Sequence, residues 1–155
     1  MPVQALREYL DYHLVKYVVI QHSRAFTMQE VASATHIPGQ ELAKTVIVEI
    51  DGRLAMAVVP ASQKVELDQL RESLGAQRVT LAREDVFRDR FPECEPGAMP
   101  PFGNLYDMDV YVADSLAEDE EIAFNAGSHT QLVRMAYRDF ERLVQPQTLH
   151  FAVNA

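Results

Sequence analysis

The dipeptide Asp51-Gly52 stands between two apolar runs, Lys44 to Ile50 and Arg53 to Val59, and no other stretch limits the fold as tightly. Asp-Gly favours the type I′ turn, whose two central residues take positive φ and whose twist matches that of paired strands. Two runs joined this tightly must lie antiparallel and side by side, with the turn setting their register. A β-hairpin is therefore the element around which the remaining segments have to be arranged.

Those segments alternate helix and strand. Leu6, Tyr9, Leu10, His13 and Leu14 recur at helical spacing over 3–14, and Tyr17 to Ile20 reads as a β-branched strand. Thr27 and Glu30 have capping-box spacing ahead of Met28, Val31 and Ala32, and the helix they start must stop before Pro38-Gly39. Leu67, Leu70 and Leu74 mark a third helix with Gly75 just past its end. A short strand around Val79 leads to a fourth helix, where Glu84 and Asp85 favour the N-terminus and Val86, Phe87 and Phe91 face inward. Strand candidates then cover 108–113, 122–125 and 130–135, followed by a helix over 137–144 and a terminal strand over 149–153. Strand-to-strand connections dominate this second half. The pattern predicts an α+β fold, a single domain over 1–155 with a mixed, mostly antiparallel sheet or partial barrel flanked by helices.

Composition narrows the function. A formal charge of −9 argues against a general nucleic-acid binder, since duplex affinity comes largely from Lys and Arg on phosphates, so DNA is not an expected partner. The acid is uneven, with Glu118, Asp119, Glu120 and Glu121 consecutive. No run approaches the ~20 apolar residues of a membrane span, and no basic leader with a cleavage site precedes the first helix, which predicts a cytoplasmic protein with no membrane partner. Cys94 is the sole cysteine, flanked by Glu93 and Glu95, which oppose thiolate formation. His13, His22, His36 and His150 show no metal-ligand spacing, so neither a metal nor another cofactor is expected.

Three features can carry chemistry. Lys44 is either the polar start of a strand or, if it points into a cleft, a fixed ammonium suited to a phosphate. His129, in the stretch FNAGSHTQLV, is either a hydrogen-bonded turn residue or a group brought to a ligand by the flexible Gly127-Ser128 backbone. Ser128 has no nucleophile-elbow frame around it. The loop GAMPPFG, residues 97 to 103, lacks the spacing of either common nucleotide-binding glycine motif. Its glycines and prolines instead suit it to present rigid backbone N–H and C=O groups to a small ligand.

Lys44-Thr45 opening a strand of an Asp-Gly hairpin, the loop from Gly97 to Gly103, and Ala126-Gly127-Ser128-His129 leading into a strand and a last helix occur in that order. Together they resemble the YbaK/ProX family of aminoacyl-tRNA deacylases, freestanding homologues of the editing domain inserted in bacterial prolyl-tRNA synthetases. The resemblance spans almost the whole chain. It implies hydrolysis of the ester that joins a wrong small amino acid, such as Ala, Ser or Thr, to the 3′ end of a tRNA. It assigns catalysis to Lys44, which would hold the phosphate or ribose of the terminal adenosine. Gly97, in a GxxxP loop ending at Pro101, would lie by the scissile ester, and His129 matches the branch containing the synthetase-inserted domain. Thr45, Gly127 and Ser128 adjoin these residues, and His22, Phe26, Met99 and Phe102 flank the motifs as candidate pocket walls.

An aminoacyl ester is already activated, so a positioned water and backbone N–H groups aimed at the developing oxyanion suffice without a nucleophilic side chain. The acidic chain would grip the acceptor end alone, with an aminoacyl-tRNA synthetase or an elongation factor as a candidate helper. The alternative is a noncatalytic binding module of the same fold that recognises an acceptor end, a nucleotide or a protein partner.

Overall fold

The computed structural model describes residues 3–25 and 27–155. Asp51 and Gly52 both take positive φ, 48° and 85°, as a type I′ turn requires. They join β2 (Leu42–Ile50) to β3 (Arg53–Pro60) in unbroken register from Ile50↔Arg53 to Ala43↔Pro60. The Asp51 carboxylate also accepts the backbone N–H groups of Gln77 and Arg78, at 3.1 and 2.8 Å. The turn is thereby tied to β5 (Val79–Leu81), which pairs antiparallel with the Val48–Ile50 end of β2.

The sheet grows outward from this hairpin on both sides. Beyond β3 lie β6 (Asp109–Ala113) and then β9 (Gln147–Leu149), both parallel to their neighbours. Beyond β2 lie β7 (Glu121–Asn125), β8 (Gln131–Ala136) and β1 (Tyr17–Gln21), giving the order β1-β8-β7-β2-β3-β6-β9. The β7–β8 and β8–β1 pairs are antiparallel, while β7 runs parallel to β2. Among the described residues β1 and β9 do not pair, so the mixed sheet stays open. A second, two-stranded sheet joins β4 (Gln63–Val65) to β10 (Ala152–Asn154). The terminal strand expected over 149–153 is thus divided, its first part on β6 and its last on β4, with buried Phe151 between them.

Helices cover the sheet with two departures from the apolar spacing: Leu14 lies beyond the end of the first helix and is exposed, and Val86, expected to face inward from the fourth helix, is 42% exposed because that helix is a single turn. α1 (Gln4–Tyr12) buries Leu6 and Leu10 in a cluster with Phe102, Phe124 and α5 (Tyr137–Val144) through Phe140. α2 (Met28–Thr35) starts at Thr27, whose hydroxyl oxygen accepts the Glu30 N–H at 3.1 Å, and packs Met28 and Val31 on Leu42, Ala123 and Leu132. α3 (Leu67–Leu74) sets Leu70 against Val48, Ala57 and Phe151. α4 (Glu84–Phe87) is one turn long and passes directly into a 3₁₀ turn at Arg88–Arg90. No helix among the described residues is long and apolar enough to cross a membrane.

At Gly52 nothing lies within 4 Å of where a Cβ would sit, so only backbone conformation opposes a side chain there. Gly52→Ala should therefore cost about 1 kcal/mol, the left-handed penalty for an L-residue. A urea midpoint equal to that of the unmodified protein would contradict this account of the turn.

Candidate active site

The outer edge of β2 is covered at its two ends and open between them. β7 pairs with it only at Leu42 and Ala43, and β5 only from Val48 to Ile50. In an antiparallel ladder successive residues turn their N–H and C=O alternately to one neighbour and the other. Ala61 N–H donates to Leu42 O at 2.8 Å on the β3 side, whereas Ala82 N–H donates to Ile47 O at 3.0 Å on the opposite side. The alternation turns both backbone groups of Thr45 to the open edge, where no described strand pairs with it.

A cavity of about 450 Å³ occupies this gap. Lys44, Thr45, Val46 and Ile47 form its strand wall, Thr27, Met28 and Gln29 come from the start of α2, and Leu81, Ala82 and Phe87 close the far end. Gly97 and Met99 complete it from the loop. The Lys44 side chain is half-buried, its ammonium donates to Gln63 O at 3.1 Å, and burial pushes its pKa below the ordinary lysine value. A larger cleft, of about 610 Å³, is lined by Asp119, Glu120, Glu121, Tyr137 and Arg138 and by none of these groups.

Gly97 owes its place to a tight turn. Ala98 N–H donates to Glu95 O at 3.0 Å, Pro96 follows Glu95, and Gly97 has φ 82°. Proline then glycine at the central positions, with positive φ on the glycine, makes a type II turn. Two backbone bonds fasten it to the next loop, Glu95 N–H to Gly127 O at 2.7 Å and Gly127 N–H to Ala98 O at 2.9 Å. His129 adds a third clamp. Its imidazole is 7% exposed, and Nε2 lies 2.8 Å from Pro96 O. A carbonyl only accepts, so Nε2 carries the proton. A trans peptide sets C=O and N–H on opposite sides, so holding the Pro96 carbonyl toward His129 turns the Gly97 N–H away from it. The Glu95 carboxylate accepts the His129 N–H at 3.2 Å and meets the Arg24 guanidinium at 2.9 Å.

Lys44, Thr45, Gly97 and Met99 therefore share one cavity, with His129 directly behind Gly97. A Cβ on Gly97 would sit 3.6 Å from His129 Cε1. Other residues singled out from the sequence lie elsewhere. Phe102 is fully buried among Tyr9, Phe124 and Phe140, an element of the core and not a cavity wall. Pro101 is buried within the loop. Gly127 packs on the Val3 side chain and anchors the Gly97 turn through its backbone. Ser128 Oγ lies 3.2 Å from Thr130 Oγ1. His22 turns Nδ1 to Ser23 O at 2.7 Å, while Phe26 falls outside the described residues. Cys94 sits 3.8 Å from the Tyr106 hydroxyl with its thiol pKa raised, chiefly by burial.

The sequence profile of the aminoacyl-tRNA editing domain matches residues 22–143. The chain belongs to that family. This editing domain is 32% identical over 115 residues to the multifunctional Ser/Thr-tRNA deacylase ProXp-y of Escherichia coli, a match covering 70% of the chain and 68% of the relative. It is 25% identical over 148 residues to the prolyl-tRNA editing protein ProX of Acetoanaerobium sticklandii, covering 92% and 90%. In fold it resembles a crystal structure of a candidate trans-editing enzyme for prolyl-tRNA synthetase, with TM-score 0.83 and 16% identity over 97% of the chain and 96% of that structure.

The Lys44 ammonium should titrate below the ordinary lysine value when its side-chain shifts are followed by NMR. Titration of Lys44 at the ordinary lysine value would refute its placement in a desolvated cavity.

Proposed function

We propose that this editing domain is an aminoacyl-tRNA deacylase that acts in trans, in the cytoplasm, on tRNA mischarged with a small amino acid. The observation that carries the reading is the meeting of Lys44, the open backbone edge at Thr45 and the Gly97 turn around one cavity. The names of the two relatives, a Ser/Thr-tRNA deacylase and a prolyl-tRNA editing protein, support it.

In this reading the Lys44 ammonium holds the phosphate or ribose of the terminal adenosine, a contact favoured by its partial withdrawal from water. The aminoacyl group enters the gap in the sheet, where Thr45 offers one backbone donor and one acceptor. Water attacks the ester carbonyl carbon, and the carbonyl oxygen takes the developing negative charge. The Gly97 N–H, which no described hydrogen bond takes up, faces that oxygen. The tetrahedral adduct then collapses: the bond from the carbonyl carbon to the ribose oxygen breaks, and that oxygen takes up the proton given up by the attacking water, leaving free amino acid and intact tRNA. Oriented donors of this kind typically contribute about 10²–10³ each in rate. His129 is a positioning residue, since its imidazole fixes the peptide that carries the Gly97 N–H.

The test is a deacylation panel of tRNAs charged with Ala, Ser, Thr, Cys or Pro. At least one ester should be lost far faster with the unmodified protein than with Lys44→Ala, and equal rates for every ester would defeat the reading. Turnover that depends on Lys44 also excludes a binding module as the whole account. His129→Ala should lower kcat by about tenfold or more, the worth of one hydrogen bond to a buried group, with KM little changed. His129→Gln, which keeps an N–H donor, should recover part of that loss, and an unchanged kcat in His129→Ala would remove the positioning role.

A further inference from the structure

One buried polar side chain beside the cavity has a hydrogen-bonding group with nothing to bond. Asn125, the last residue of β7, is 7% exposed. Its Nδ2 donates to the Met28 thioether at 3.4 Å, a weak acceptor, and its Oδ1 is buried with no hydrogen-bond partner. The assignment of nitrogen and oxygen follows from this contact, because the reverse orientation would set an acceptor against the sulfur. Leaving an acceptor buried and unpaired forfeits its hydration with nothing in return. Such a group calls for an explanation; Gln131 Oε1 on neighbouring β8 is likewise buried without a partner, but it belongs to the opposite face of the sheet from Leu132 and Asn125.

The location of Asn125 supplies one. β7 and β2 run parallel with Leu42↔Ala123 and Ala43↔Phe124 in register, and the next step of that register sets Asn125 beside Lys44 just where the strands part. Leu132, its partner across β8, belongs with Ala123 and Met28 to the cluster under α2, so Asn125 points to that same side of the sheet. Met28 both contacts the carboxamide and lines the cavity. A methionine side chain is unbranched and rearranges readily, so it can move aside for an occupant. Two residues further along β7's exit loop the backbone reaches Gly127, which anchors the Gly97 turn.

We propose that Asn125 is a specificity-determining residue whose carboxamide oxygen accepts a hydrogen bond from the side-chain hydroxyl of a bound seryl or threonyl group. The proposal rests on the deacylase reading and names the substrate class within it. An alanyl methyl in the same place leaves the oxygen unpaired. Sites that hydrogen-bond a substrate hydroxyl discriminate against the analogue lacking it by leaving a buried polar group unsatisfied.

The experiment measures kcat/KM for seryl and alanyl esters on one and the same tRNA, with the unmodified protein, Asn125→Leu and Asn125→Ala. Thermal unfolding is recorded for each. Asn125→Leu replaces an unsatisfied polar group with an apolar one of similar volume, so it should fold with an unchanged or raised Tm. The Ser-to-Ala ratio should fall by about tenfold or more in both variants, the scale of one lost hydrogen bond, with the alanyl rate retained. A structural role alone would lower both rates together and leave the ratio fixed. That result, or a ratio and rates unaffected by either variant, overturns the proposal while the deacylase reading stands. If the unmodified protein hydrolyses none of the esters, the parent reading falls and this one falls with it.

Discussion

Strand β2 carries the architecture because its two edges are used unequally. One edge is paired with β3 along its whole length, and the other is paired only at its extremities, by β7 and by β5. A strand interrupted on both sides would lose its register; one interrupted on a single side keeps it and exposes a short run of backbone groups. Unpaired groups on a sheet edge are normally a liability, a template for another chain. Here α2, the Gly97 loop and β5 surround the gap, so it admits a small group and excludes a strand. The cavity is thus a vacancy in the hydrogen-bond ladder and not a fold of loops.

Electrostatics is partitioned along β7. The acidic run Glu118 to Glu121 lies at the start of that strand and Asn125 at its end. Four rises of ~3.3 Å put about 13 Å between the ends, beyond the ~8 Å screening length at physiological ionic strength. Arg134 further offsets this acid, with Glu121 at 3.3 Å and Glu41 at 3.6 Å. In a chain of charge −9, the Lys44 ammonium, beside the far end of β7, is thereby set apart from the acidic run.

What was legible in the sequence follows from the range of the interactions. The hairpin, the Thr27 cap, and helices α1, α3 and α5 are written in residues a few positions apart, and their positions are as their spacing implies. β4 is three residues long and pairs with β10 across most of the chain, so nothing near Gln63–Val65 announces it. The division of the terminal strand is equally nonlocal, since it depends on β6 and β4 being where they are. In the site, Lys44, Thr45, Gly97 and Met99 were marked by motif. Thr27, Met28, Gln29, Leu81, Ala82 and Phe87 were not, because a gap between strands is lined by whatever the neighbouring elements bring to it. Phe102, next to a glycine in the same loop, looked equally suited to a wall, but its ring goes to the core with Phe124 and Phe140. The one local hint at Asn125 was a carboxamide closing the apolar run Ile122 to Phe124.

The Asp51-Gly52 turn bears on chemistry that it never touches. Lys44 stands seven positions before Asp51, roughly 23 Å along the strand at ~3.3 Å per residue. Removing one residue anywhere between them would carry Lys44 into the place of Thr45. The ammonium would cross to the other face of the sheet, and its backbone groups would swing from β3 to the open edge. Side chains in this stretch can be exchanged while the cavity survives, but the number of residues cannot change. The hairpin therefore acts as a ruler, and insertions or deletions within it are the class of mutation that this site is least able to absorb.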